Sequence, residues 1–173
     1  MVLDSPGWHI RAAETCDAEG LVALTTEVAA EDRYIVPDRG FFTADQQRAV
    51  LERRDPHFHQ VFVAVLGLDA AVAGELEVVR GMWPKNRHTA MLAMVVGRGF
   101  RRQGIGLGLL EQVEVWAAAE GVTKLCLSVF ESNVDAVRLY ERAGYQHEAR
   151  RPRQFVIGGH DVAELLMAKF LPQ

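Results

Sequence analysis

The sequence predicts an α/β domain built around one mixed sheet, and three observations carry that prediction. Period-two apolar runs come first and in hairpin order, with residues 59–66 turning at 67–70 into 71–79. Strand-like runs then alternate with helix-periodic ones. Finally, 173 residues, 49% hydrophobic and 24% charged, fit one sizeable core rather than two. Hairpins followed by strand–helix–strand–helix–strands make one α/β unit over residues 1–173.

Taken in order, residues 8–13 form a first strand, and a helix runs from 17 toward 31 with Leu21, Leu24 and Val28 on one face. Thr43 to Gln46 (TADQ) has the form of a capping box, opening a helix with Ala49 and Val50 that stops near Asp55-Pro56. Tyr34, Pro37, Phe41 and Phe42 lie between these helices; they line a substrate cleft or staple a loop to the core. After the 59–79 hairpin, residues 81–88 form a loop and 89–96 a strand. A helix begins around Gly104 and reaches Glu120, with Leu107, Leu110, Val113 and Ala117 at core-facing spacing. Residues 124–130 make the next strand, and a helix over 134–143 ends at Gly144. Residues 145–151 and 162–170 supply two late strands, with Gly158-Gly159 at a turn. No internal repeat is present.

Composition excludes several classes of function. A net charge of −4 argues against nucleic-acid binding, which needs a positive surface to displace counterions. The charges do cluster: Arg98, Arg101 and Arg102 form one basic run, and Arg150, Arg151 and Arg153 another. Each is a solvated turn, or the first is a local anion site. Cys16 and Cys126 form neither a ligand quartet nor a CxxC pair, and they fit a reducing, cytoplasmic setting. No apolar run reaches membrane-spanning length, and the N-terminus does not read as a signal peptide. His57, His59 and His88 form no HExxH or other metal pattern, so no metal is expected.

The most informative segment is VGRGFRRQGIGLG, from Val96 to Gly108. It follows a strand and enters an amphipathic helix, whose first amides lack internal acceptors and whose dipoles converge on the entrance. Gly104 and Gly106 carry no Cβ to block close approach, and Gln103, Gly104, Ile105 and Gly106 present N–H groups to an anion. Arg101 and Arg102 add charge. The glycine spacing and late position do not match a dinucleotide-binding G-x-G-x-x-G, and no GxxxxGK[ST] is present. The pyrophosphate of a non-nicotinamide cofactor is the preferred ligand.

Arg101-Arg102-Gln103-Gly104-Ile105-Gly106 resembles the [Q/R]-x-x-G-x-[G/A] signature of the GCN5-related N-acetyltransferase (GNAT) superfamily. The likeness continues through Leu109-Leu110, through LCLSV at 125–129, and into NVDAVRLYERAGY at 133–145, which is similar to the family's N-x-x-A-x-x-[L/F]-Y-x-x-x-G-[F/Y] region. It covers roughly residues 58–170, and the two blocks together are far more specific than either alone. The resemblance implies a mostly antiparallel mixed sheet with a parallel-strand splay, flanked by about four helices. It implies acetyl-CoA as cosubstrate, with pantetheine against backbone groups of Met94, Val95 and Val96 and pyrophosphate on the amides of Gln103 through Leu107 and Gly108.

The implied reaction is direct acetyl transfer to an amine, which requires a neutral nitrogen, a stabilised oxyanion and a proton for the leaving thiolate. By resemblance Tyr140 is the acid and Asn133 orders the cofactor and the strand-to-helix junction. Their other readings are a core aromatic and a plain N-cap. Strand alternation puts Glu75 and Glu77 on one face. Either is the base or a solubility residue, with Glu75 preferred because it follows the Gly74 that marks this strand in the family. Tyr34, Phe41, Phe42, Trp83 and His88 are substrate-contact candidates, although Trp83 also reads as packing and His88 as a solvated loop residue. The expected acceptor is a small cationic amine. Transfer to a protein N-terminus or lysine, and a non-catalytic acetyl-CoA sensor or interaction module, are the alternatives. The resemblance also allows a homodimer; no nucleic-acid or membrane partner is expected.

Overall fold

The computed structural model describes residues 7–35, 42–67 and 71–172. Seven strands form one sheet: β1 (Trp8–Ala12), β2 (His59–Leu66), β3 (Ala71–Arg80), β4 (Thr89–Val96), β5 (Lys124–Phe130), β6 (Gln146–Ile157) and β7 (His160–Phe170). Their order is β1-β2-β3-β4-β5-β7-β6, and β4 with β5 is the parallel pair. Four α-helices accompany them: α1 (Ala18–Ala29), α2 (Ala44–Arg53), α3 (Ile105–Ala119) and α4 (Val134–Arg142). The expected mixed, mostly antiparallel sheet with about four helices is what forms. No helix among the described residues is long and apolar enough to cross a membrane.

The sheet divides the core in two. On one face, Leu21 of α1 and Leu51 of α2 pack with Val61, Val63 and Val65 of β2. On the other, Ile105, Leu109, Leu110 and Val113 of α3 pack with Leu76, Val78, Leu92, Leu125 and Leu127. Period-two alternation along β2 assigns Val61, Val63 and Val65 to the first cluster and Phe62 and Ala64 to the second. Gly74 belongs to the α3 side, where a Cβ would stand 3.0 Å from Ile105 Cγ2 and 3.2 Å from the Val95 carbonyl. Its small size seats the first turn of α3 close to the sheet.

The capping box of α2 forms as expected: Thr43 Oγ1 accepts from the Gln46 N–H at 3.2 Å, and Gln46 Oε1 accepts from the Thr43 N–H at 2.9 Å. Two expectations need correction. Asp17 sits in a short 3₁₀ turn before α1, because its carboxylate is held by the Arg11 guanidinium (2.6 and 2.8 Å) and the Glu14 N–H (2.7 Å). The strand expected to end at Arg151 runs on to Ile157. Register shifts against β7 at Glu148 and at Pro152–Gln154 absorb the residues that break the pattern. β6 is an edge strand, where a proline without an N–H is tolerated. The Gly158-Gly159 turn has φ of +56° and +79°, the positive values a two-residue hairpin favours.

Candidate active site

β4 and β5 pair only at Thr89–Lys124, Ala90–Leu125 and Met91–Cys126, although both strands continue. Beyond Met91 they part. The Gly97 N–H donates to the Ala73 carbonyl at 2.9 Å on the β3 side, and the His88 carbonyl accepts from Thr123 and Lys124 on the β5 side. Alternate residues of β4 therefore direct their peptide groups to opposite neighbours. Leu92, Met94 and Val96 face the splay, where β5 no longer supplies partners. Val95 faces β3, in register with Glu75. Met94 and the Val96 N–H thus lie on the open edge, the Val96 carbonyl accepting from Arg101 Nε, while Val95 offers the site only its side chain.

A cleft of about 1270 Å³ opens at this gap and reaches both faces of the sheet. On the α3 side it meets Arg102, Gly104, Gly106 and Leu107. Gly104 is the N-cap of α3 with φ +85°, a conformation natural to glycine. The Gly108 N–H donates to the Gly104 carbonyl at 3.0 Å, while the amides of residues 103–107 have no acceptor among the described residues. Gly106 is small because α4 crosses it: a Cβ would lie 2.8 Å from Leu139 Cδ2. Arg102, at φ +64°, makes no ion pair or hydrogen bond among the described residues.

Two residues of this segment, Gly108 and Arg101, stand differently from the expectation. Gly108 is a packing residue, its amide taken within the helix and a Cβ there 2.9 Å from Ile10 and 3.0 Å from Trp8. Ile105 sends its side chain into the core and leaves only its amide at the entrance. Arg101 is committed elsewhere: its guanidinium chelates Glu31 past the end of α1, its Nε donates to the Val96 carbonyl at 3.0 Å, and it lies 4.6 Å over the Tyr34 ring. Arg101 bolts the end of α1 to the helix entrance. Gln103 likewise ties the turn inward, its backbone carbonyl accepting from Trp8 Nε1 and its side-chain Nε2 donating to the Gly99 carbonyl, both at 3.1 Å.

Glu75 and Glu77 point into the cleft from the α1/α2 face, beside Ala93 and Val95. Their surroundings differ. Glu77 Oε1 lies 2.6 Å from His59 Nε2 of β2. Glu75 has no hydrogen bond or ion pair among the described residues. Burial and then the nearby Glu77 charge push its carboxyl up to about 8. Tyr140, on α4, enters the cleft from the opposite face and packs edge-to-face on Tyr145 with centroids 5.8 Å apart. Burial raises its phenol to about 12. Asn133 lines the cleft while capping α4, Oδ1 accepting from the Ala136 N–H at 3.3 Å. A carboxyl and a phenol thus approach one gap from the two sides of the sheet.

Of the substrate-contact candidates, Tyr34 and Phe42 line the cleft, and Phe41 lies outside the described residues. Trp83 and His88 are not brought to it. They precede Thr89 at the paired end of β4, seven residues and about 23 Å of strand from Val96. Sequence reasoning missed His59 as a partner of Glu77, and it missed Phe130, Phe155 and Ser128 as walls of the cleft. Each depends on strand register, for which a single sequence carries no local signal. Among the described residues no three His, Cys, Asp or Glu side chains converge as a metal site would need.

The family model of the Acetyltransferase (GNAT) family matches residues 21–145. The chain belongs to the GNAT family. Among solved structures, this GNAT chain is similar to a GNAT-family acetyltransferase from Streptococcus pneumoniae, at 28% identity and TM-score 0.86 over 95% of this chain and 99% of that one. It is also similar to a GCN5-related N-acetyltransferase from Kribbella flavida, at 25% identity and TM-score 0.83 over 96% and 100%. The fold is shared with yncA from Salmonella typhimurium, solved with acetyl-CoA, at 20% identity and TM-score 0.84 over 96% and 95%. No curated protein matches the chain.

Proposed function

We propose that this GNAT chain transfers the acetyl group of acetyl-CoA directly to the primary amine of a small cationic molecule. The observation that carries the proposal is a half-buried carboxyl in the cleft, Glu75, which has no partner among the described residues and stands one strand away from the open edge of β4. The residues fit a diphosphate-bearing cosubstrate: the amides of residues 103–107 have no acceptor among the described residues, and Arg102, which lines the same cleft, makes no ion pair or hydrogen bond among them. The yncA structure with acetyl-CoA supports the same choice.

Bound acetyl-CoA supplies an activated thioester carbonyl. Met94 offers the N–H and carbonyl that hold an extended chain as an added strand would, the Val96 carbonyl being taken by Arg101. The Val96 N–H, aimed into the splay, is the donor for charge growing on an acyl oxygen. Glu75 takes a proton from the incoming ammonium and frees its lone pair. The nitrogen–carbon bond then forms as the carbon–sulfur bond breaks, and the nitrogen releases its second proton to solvent to become the amide. Tyr140 donates its phenol proton toward the departing sulfur and regains one from solvent. Asn133 acts through position, fixing the first turn of α4 and with it Tyr140.

Free thiol released from acetyl-CoA in the presence of an amine panel tests this function. Tyr140→Phe should lower kcat by about a hundredfold while CoA affinity, read by calorimetry, stays within about twofold. Wild-type protein that binds CoA and acetylates no amine would instead mark a sensor or interaction module.

A further inference from the structure

Phe130 and Phe155 meet edge-to-face in the cleft wall, with centroids 4.9 Å apart at 61°. Neither belongs to the signature blocks or to the transfer chemistry above. Register fixes where they stand. Met91 of β4 shares a face with Glu75 and Glu77 and pairs with Cys126, so alternate β5 residues Ser128 and Phe130 lie on that face too. Phe130 pairs with Glu164, and Val162, two residues before Glu164 on the same face, pairs with Phe155. The β6–β7 hairpin outruns β5, continuing to Ile157 and His160, and this overshoot carries Phe155 over the end of the splay.

The two ends of this half-cleft differ in chemistry. At one end stand Glu75 and the His59-bound Glu77. At the other stands the Phe130–Phe155 pair, with Tyr34 and Phe42 also on the lining. β4 alone separates β3 from β5, and β5 draws away from β4 beyond Met91, so at least about 10 Å divides the carboxyls from the aromatic wall. An ethylamine chain carrying one aromatic ring spans a gap of that order. An aromatic wall favours edge-to-face or stacked contact with a second ring, and apolar walls desolvate what they enclose.

We infer that the acceptor is an arylalkylamine, its ring seated against Phe130 and Phe155 and its ammonium delivered to Glu75. This rests on the transferase reading above and narrows its acceptor. The hairpin overshoot makes Phe155 a residue that sets specificity.

Wild-type protein with saturating acetyl-CoA is assayed against 2-phenylethylamine, n-propylamine and spermidine. The expected kcat/KM for 2-phenylethylamine exceeds that for n-propylamine by about tenfold or more, since a buried ring removes far more apolar surface from water than a propyl chain. Phe155→Leu keeps an apolar side chain and should lower that ratio by about fivefold. Calorimetry should show the CoA-saturated variant binding 2-phenylethylamine correspondingly more weakly, and Phe130→Leu serves in its place if Phe155→Leu melts early. Equal or better use of n-propylamine or spermidine overturns the inference and leaves the transferase reading standing. So does a Phe155→Leu variant that changes the preference between acetyl- and butyryl-CoA and leaves the amine ratio unmoved. Absence of transfer to every amine sinks both.

Discussion

Glu75 and Glu77 leave the same strand two residues apart, yet their surroundings make them different acids. Glu77 is held by His59 and is partly open to solvent, whereas Glu75 has no partner among the described residues and is partly desolvated. A base must give up its proton before it can take one, so a carboxyl near 8 works best on the alkaline side of neutrality. With a fixed amine, kcat/KM should rise with pH through about 8 and turn down only above the ionisation of the amine itself. Glu75→Gln should remove that rising limb and lower kcat by about a hundredfold or more, whereas Glu77→Gln should cost about tenfold or less. A pH–rate profile that is unchanged in Glu75→Gln would reassign the base.

At the scale of elements, the entrance to α3 does its work through backbone shape. Gly104 at φ +85° turns the chain so that the next amides face outward, and an L-residue there is strained by about 1–2 kcal/mol. Gly158 at φ +56° would impose a similar strain on an L-residue in the β6–β7 turn, and it does not line the cleft. Gly104→Ala and Gly158→Ala should therefore lose comparable stability in denaturant titrations. Only Gly104→Ala should weaken CoA binding, by about tenfold; equal losses of affinity would mean the entrance matters for folding alone. This cap was legible in the sequence because a glycine between a strand and an amphipathic helix is a local signal, as are the capping box at Thr43 and the alternation that pairs Glu75 with Glu77. What stayed hidden depends on distant partners. Arg101 looked like a free cation until Glu31, seventy residues away, was placed against it. Gly108 looked like part of the anion cradle until β1 was packed on it. The reach of β6 past Arg151 required bulges that its pattern does not announce.

Across the whole molecule, buried and paired acids tilt stability in opposite directions with pH. Burial alone would raise the Asp17 carboxyl, but its two bonds to Arg11 and one from the Glu14 N–H outweigh that and hold it below its ordinary value. Its folded pKa is thus the lower one, so its contribution is present above about pH 4 and fades as pH falls through the folded value. Glu31, held down by the Arg101 guanidinium, shares that sign. Glu75 has the reverse sign: between about 4.5 and 8 the folded chain keeps a proton that the unfolded chain has lost, so stability declines as pH rises. His57, raised by Glu120, adds to the decline above its ordinary 6.5. The melting temperature should therefore peak near pH 5 and fall toward pH 8. Asp17→Asn should flatten the acid limb and cost about 3 kcal/mol at neutral pH, because it leaves Arg11 without its partner. Glu75→Gln should flatten the other limb and melt above the wild type at pH 8. A wild-type maximum at pH 8 would contradict the assignments of Glu75 and His57. The proton whose loss enables Glu75 to act as a base is the same one whose loss weakens the fold. A cationic amine that pairs with the ionised carboxylate should consequently raise the melting temperature more at pH 8 than at pH 5, and that increment should vanish in Glu75→Gln.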